Sequence, residues 1–208
     1  MAINNNYLAV FDFETGGLDY EKDEIIQVAA VIMDPRTFKV IDTFESMVKA
    51  LRPNELGAKA LEVNKKSVEE IMAAPHPKEI FSLFVQFLKK YKCGRSQWDN
   101  PIACGQNIIS FDLPFLARYL KEYKLDSCFH PTIKLDTYHM HFMWFENAKE
   151  PLKYNMDVMR DFYGIDSKDA HDALKDCRDC AAIIARFLNL HRSLHSKVKF
   201  KGSLKNAG

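Results

Sequence analysis

No apolar run in this 208-residue chain is longer than about seven residues, far short of the roughly twenty that a membrane-spanning helix needs. The expectation is a soluble chain with no membrane partner. Cysteine is sparse as well: five, at irregular positions, which argues against a disulfide framework. The opening "MAINNN" has neither a charged start nor a long apolar stretch, so nothing there reads as a secretory leader and a reducing, cytoplasmic setting is expected. Net charge is nearly missing, with 29 Lys and Arg against 28 Asp and Glu. The whole chain is therefore neither a polybasic binder nor an acidic tail.

The distribution of charge says more. Residues 191–208 hold Arg192, Lys197, Lys199, Lys201 and Lys205 and no acid, which leaves 24 basic against 28 acidic residues in 1–190. No repeat, low-complexity block or linker precedes that point. The expected organisation is a single domain over 1–190 and a basic tail over 191–208. Its lysines, interleaved with Val198 and Phe200, could hold nucleic acid electrostatically.

What is present is core material, 47% hydrophobic residues, enough for one well-packed domain. "YLAVFDF", "EIIQVAAVIM" and "KVIDTFESMV" read as strands, the last two as a hairpin across "DPRTF". "LGAKALEVN" and "SVEEIMAA" read as short helices. "PKEIFSLFVQFLKKY" carries Ile80, Phe84, Phe87, Leu88 and Tyr91 at helical spacing. "PIACGQN" is a fourth strand, "SFDLPFLARYLKEY" a helix and "PTIKLDT" a fifth strand. Helices over "HMHFMWFENA" and "LKYNMDVMRDFYG" follow, and a last one runs from about Asp169 to Leu190. A hairpin followed by alternating helix and strand predicts one mixed sheet with helices on its faces.

Acidic residues appear where such a sheet holds ligands. Leu8, Val10, Asp12 and Glu14 share one face of the first strand, and Tyr7, Ala9, Phe11 and Phe13 the other. Both faces are apolar until the carboxyl end, so the strand is central and its two carboxylates emerge together at that end. A strand end facing water would look the same. Asp112 follows the fourth strand at the start of a helix, where Ser110 could act as N-cap and the helix dipole favours an acid. In "AHDALKDCRDCAAIIARFL", Leu174, Cys177, Ala181, Ile184 and Leu188 form an apolar stripe that Cys180, Ile183 and Phe187 widen. Asp176 belongs to that buried face, where a charge must be paired or ligate a metal. Asp172 and Asp179 fall on the polar side.

Four carboxylates and one histidine, His171, suit hard, oxygen-preferring Mg²⁺ or Mn²⁺ and a general base. Phosphodiester hydrolysis is what such a set performs, two ions about 3.5–4 Å apart stabilising the attacking and leaving oxygens. His171 would take the proton of the attacking water. Cys177 and Cys180 form a lone Cys-x-x-Cys on the buried helix face and read as core. "TYHMHFMWF" could stack bases, but Met and aromatics at helical spacing read first as core. His139 and His141 read as surface or partly satisfied residues.

"DFETGGLD", "NIISFD" and "AHDALKD" together resemble the three motifs of the DEDDh branch of the DnaQ-like 3′-to-5′ exonucleases. That family includes the proofreading subunit of the bacterial replicative polymerase, RNase T and oligoribonuclease. The resemblance spans about residues 7 to 190. It implies an α/β, RNase H-like exonuclease fold whose five-stranded mixed sheet has the order 3-2-1-4-5, flanked by helices. It also implies Asp12, Glu14, Asp112 and Asp176 as metal-site carboxylates and His171 as the base. The backbone around Thr15 and Gly17 and the side chain of Leu18 would hold the 3′-terminal nucleotide, and Asn107 and Phe111 would line the groove. Gly16 stands where many relatives have Thr, and Gln106 where a His often precedes the Asn.

The expected activity is metal-dependent removal of nucleoside 5′-monophosphates from 3′ ends, of single-stranded DNA first. An RNA-specific 3′ exonuclease of the RNase T or oligoribonuclease type is the alternative. A catalytically silent nucleic-acid-binding or polymerase-associated subunit is another. A polymerase or a second copy of the chain are the protein partners such a role admits.

Overall fold

A computed structural model describes residues 5–168, 170–195 and 197. Its sheet runs β3-β2-β1-β4-β5, the order that the resemblance implies. β1 (Leu8–Thr15), β2 (Ile25–Met33) and β3 (Val40–Met47) form an antiparallel meander, while β4 (Ile102–Gly105) and β5 (Lys134–Asp136) run parallel to β1. Every residue of β2 is buried, as a central strand covered on both faces requires.

The alternation read in β1 sorts two cores. Ala9, Phe11 and Phe13 pack beneath α3 (Pro77–Lys89) and α4 (Asp112–Glu122), against Phe81, Phe84 and Phe115. Leu8 and Val10 pack on the opposite side beneath α7 (Ala173–His195), against Cys177, Cys180, Ala181 and Ile184. Each large side chain so buried contributes roughly 1.5–3 kcal/mol. Both cysteines of the Cys-x-x-Cys are core, as read. Asp12 and Glu14 continue the Leu8 and Val10 face and so arrive under the first turn of α7.

Shorter helices close the edges. α1 (Ala58–Asn64) and α2 (Val68–Ala73) sit over Ile26 and Ala50 through Leu61 and Ile71. Ser67 and Glu70 form a reciprocal capping box at the start of α2. α5 (Thr137–Phe145) follows β5 directly, and α6 (Met156–Tyr163) lays Met159 against Ile183 and Phe187 of α7. Among the described residues no helix is long and apolar enough to cross a membrane.

Four expectations are corrected. α4 is capped by Phe111, without a side-chain bond, and not by Ser110; the backbone N–H of Leu113 bonds to the carbonyl of Ile108 at 2.9 Å instead. α7 begins at Ala173, after Asp172 accepts from the Lys175 N–H at 3.2 Å. It runs to His195, into the segment set apart as a tail; Arg192 there bonds to the Pro35 and Arg36 carbonyls and stacks on Phe38. The expected start at Asp169 and the tail residues 198–208 lie outside the described residues. α5 is core along one edge only: Thr137 and His141 are buried and Met140 packs beside Phe187 of α7, while Tyr138, Phe142, Met143 and Trp144 are exposed.

His141 is the fourth. It is fully buried in an aromatic box of Phe145, Tyr154, Tyr163 and Phe187, with ring centroids 5.5–6.3 Å away. Neither ring nitrogen has a hydrogen-bond partner among the described residues. Burial pushes its pKa down to about 4. The unfolded chain therefore takes up the proton first, and stability is lost as pH falls from the ordinary histidine value towards 4. His141→Leu, of similar volume, is expected to raise stability by about 1 kcal/mol at neutral pH and to flatten that acid dependence. Thermal melts between pH 4 and 7 check both; an unchanged slope would refute the assignment.

Candidate active site

The end of β1 and the first turn of α7 bring three carboxylates together. One oxygen each from Asp12, Glu14 and Asp176 lies within 4.8 Å of the others. Asp112 opens α4 beside them and is itself buried, its Oδ1 accepting the backbone N–H of Phe13 at 3.0 Å. The four acids read from the sequence thus converge from three elements.

Their electrostatics are those of buried acids that repel one another. Burial, then repulsion from Asp112, Glu14 and Asp176, holds Asp12 far above the usual carboxylate range. Glu14 is pushed up to about 8 by burial first and Asp176 second, with Lys66 opposing. Asp112 is pushed up to about 7 by burial, against the hydrogen bond from Phe13. Asp176 is raised by burial, with Arg160 and His171 opposing. A donor set made only of carboxylate oxygens fits a hard divalent cation, which would reverse these shifts.

Raised carboxylate values mean that the metal-free folded state holds protons the unfolded chain has released. Its stability therefore falls as pH rises from about 4.5 towards 8. Metal binding must expel those protons. Calorimetric titration with Mg²⁺ or Mn²⁺ at pH 6.5, in two buffers of different ionisation enthalpy, is expected to show release of about one proton or more per site. Identical heats in both buffers would mean that the carboxylates are already ionised without metal, contrary to their burial and mutual repulsion.

Beside the acids lies a cavity of about 380 Å³ lined by Thr15, Gly17, Leu18 and Phe111, with Val63 and Asn64 from α1. Leu18 is 84% exposed, so its side chain stands free over the opening. Thr15 Oγ1 donates to the Gly17 carbonyl at 2.6 Å, and Asn64 Nδ2 donates to the Thr15 carbonyl at 3.0 Å. A Cβ at Gly17 would meet the Asp23 carboxylate at 2.1 Å, and that carboxylate is tied to the Asp19 N–H at 2.8 Å. A side chain at Gly17 would displace that carboxylate and break its bond to Asp19. At Gly16 an added Cβ would lie 2.5 Å from Leu56 Cδ2, so a larger residue there would have to turn the Leu56 side chain aside.

His171 sits in the left-handed region, φ 67°, just ahead of α7. It lines a second, polar cavity of about 400 Å³ with Asn64, Lys66, Asp172, Lys175 and Arg178. Asn64 borders both cavities. Asn107 is the one predicted groove residue that does not border the first cavity. It is exposed at φ 57°, its backbone N–H donating to Asp136 Oδ1 at 2.8 Å. Gln106 is structural: its Nε2 donates to the Tyr154 carbonyl at 2.5 Å, and its Oε1 accepts from Thr137. A larger apolar cavity, about 560 Å³, lies at the other end of β1 between Leu8, Phe38, Ile102 and Leu188.

Several residues around the site do not stand out in the sequence. Asp136 caps α5 through the Tyr138 N–H and also holds the N–H groups of Asn107 and Ile109; an Asp between a strand and a helix is its signal. Lys66 pairs with Asp172 at 3.6 Å beside Glu14. Asp179, read as a solvated residue, is 7% exposed and bonded to Arg160 and Lys175, because α6 covers that flank of α7. Asp172 likewise pairs with Lys66 and accepts from Gln27.

The model of the RNase T family, described as exonuclease, matches residues 9–184. A PolC-type DNA polymerase III of Thermotoga petrophila is 27% identical over 93% of this chain and 13% of its own length. The 3′-5′ exonuclease DinG of Staphylococcus epidermidis is 26% identical over 90% of this chain and 18% of its own. The chain thus spans less than a fifth of these curated relatives. Exonuclease I of E. coli in complex with a dT13 oligonucleotide superposes with TM-score 0.74 at 17% identity, covering 92% of this chain and 43% of that one. That likeness establishes a shared fold.

Proposed function

We infer that this chain, which belongs to the RNase T exonuclease family, is a divalent-metal-dependent 3′-to-5′ exonuclease that acts first on single-stranded DNA. The observation that carries the reading is the triad of carboxylates within 4.8 Å, with Asp112 close by and a cavity of about 380 Å³ that Glu14 and Phe111 line. The DNA preference draws on the oligonucleotide bound to the exonuclease I relative and on the PolC-type relatives. A polymerase partner is proposed on the latter ground alone.

In this mechanism Leu18 and Phe111 grip the terminal base, and the Thr15 and Gly17 backbone holds the sugar. Asp12, Glu14, Asp112 and Asp176 would hold Mg²⁺ or Mn²⁺, two ions per site, supplying charge stabilisation to the attacking and leaving oxygens when bound. His171 takes the proton of the attacking water. The new bond joins that oxygen to phosphorus, the bond to the 3′-oxygen of the preceding nucleotide breaks, that oxygen takes up a proton from solvent to become the new 3′-hydroxyl, and a nucleoside 5′-monophosphate leaves.

Digestion of matched 5′-labelled single-stranded DNA and RNA, with Mg²⁺ or Mn²⁺ and the Asp12→Ala protein as blank, tests this. A ladder shortening from the 3′ end with the wild type alone is the expected result. Faster loss of RNA would reassign the substrate through recognition of the 2′-hydroxyl. Intact strands under both metals would overturn the activity and leave a binding subunit.

A further inference from the structure

α6 carries an arginine where its apolar stripe requires a hydrophobe. Arg160 falls in line with Met156, Met159 and Tyr163, and it is 1% exposed. Its Nη2 donates to Asp176 Oδ1 at 2.5 Å, its Nε to Asp179 Oδ2 at 2.8 Å and its Nη1 to Asp157 Oδ1 at 3.2 Å. Lys175 also donates to Asp179, at 2.6 Å from both of its oxygens.

Packing does not account for this choice. Removing a guanidinium from water costs several kcal/mol, and apolar replacements of buried ion pairs are often neutral or stabilising. Met159, Ile183 and Phe187 already supply an apolar contact between α6 and α7. What an arginine adds is a rigid fork with a fixed direction. Two of its contacts, Asp157 and Asp179, lie outside the carboxylate cluster and fix the guanidinium. The third reaches a member of the cluster.

We propose that Arg160 is a positioning residue for the metal centre: anchored by Asp157 and Asp179, it engages Oδ1 of Asp176 and so fixes the orientation of that carboxylate at the site it shares with Asp12 and Glu14. It also places one fixed positive charge behind four carboxylates, so the cluster forms without a full complement of unopposed charge. The proposal rests on the metal-dependent reading above, and it concerns the orientation of a ligand, not contact with substrate.

Two variants test it. Arg160→Lys keeps the charge but loses the fork. Asp179→Asn loosens Arg160 from behind and alters no metal-site carboxylate. Each is titrated with Mn²⁺ alone by calorimetry, melted without metal, and assayed for kcat across metal concentration. Both are expected to bind Mn²⁺ about 10- to 100-fold more weakly, the usual effect of losing a group that orients a ligand, with excess metal restoring part of kcat. If Arg160 merely staples α6 to α7, both variants melt lower yet bind Mn²⁺ as the wild type does, and the proposal falls. Should Arg160→Lys fail to fold, Asp179→Asn decides alone by the same two outcomes. A wild type that binds no Mn²⁺ would overturn the metal-dependent reading itself, a result separate from equal binding by all three proteins.

Discussion

Asp12→Asn is expected to lose at least about a thousandfold in kcat while making the metal-free protein more stable. The loss follows from removing a carboxylate that three elements are arranged around. Charge stabilisation by bound metal is worth several kcal/mol of barrier, and each 1.36 kcal/mol is a factor of ten. The gain follows from the same residue seen without metal. Burial and the neighbouring Asp112, Glu14 and Asp176 all disfavour its charge, so an uncharged amide of nearly the same shape relieves repulsion. Roughly 1 kcal/mol is a usual gain for such a change.

The pH dependence separates this from a general loosening of the fold. Asp12 and Glu14 are both held above the ordinary carboxylate range, so the wild type without metal weakens as pH rises towards 8, and the Asn variant, which lacks the Asp12 carboxyl, weakens less. With metal the order inverts. A ligand at a hundred times its dissociation constant stabilises by about 2.7 kcal/mol, and the variant forfeits most of that. Melts with chelator and with excess Mg²⁺, at pH 6 and pH 8, give four numbers that must show this crossing. A variant less stable under all four conditions would mean that Asp12 is a structural residue.

Local patterns made much of this site legible. The alternation of β1 places Asp12 and Glu14 on the face that meets α7, and the 3.6-residue period of "AHDALKDCRDCAAIIARFL" turns Asp176 towards them. Period and polarity fix which face a residue occupies, and that suffices to bring acids from distant segments to one sheet edge. What one element's pattern does not contain is its neighbour. Asp179 is polar-facing on α7 alone and buried once α6 covers that flank. Arg160 breaks the stripe of α6, a visible signal, but its three carboxylate partners come from residues 3, 16 and 19 positions away. The aromatic face of α5 fails in the opposite sense. Tyr138, Phe142 and Met143 read as core because apolar residues usually find a partner, and in this fold that side of α5 is exposed. An apolar surface of this kind commonly marks an interaction site.

His171→Asn is expected to lower kcat by about 10²- to 10⁴-fold and to leave metal affinity within a few-fold of the wild type. The choice of asparagine is dictated by the backbone. His171 has φ 67°, where most side chains cost roughly 1–2 kcal/mol and asparagine is among the few that settle there readily. Alanine would confound lost chemistry with lost geometry just ahead of Asp172, which accepts the Lys175 N–H at the start of α7. With asparagine the loop keeps its turn, and Asp176 keeps its place under Arg160. The imidazole is then the one functional group removed, and it is not among the oxygen donors of the cluster. Metal binding by calorimetry should therefore be nearly unchanged while turnover collapses, and added imidazole should restore part of the rate, since the cavity beside residue 171 is open to small solutes. A loss below tenfold would take the proton-transfer role away from His171. A parallel loss of metal affinity would make it a ligand, and Asp176 would then have to share its ion with a nitrogen.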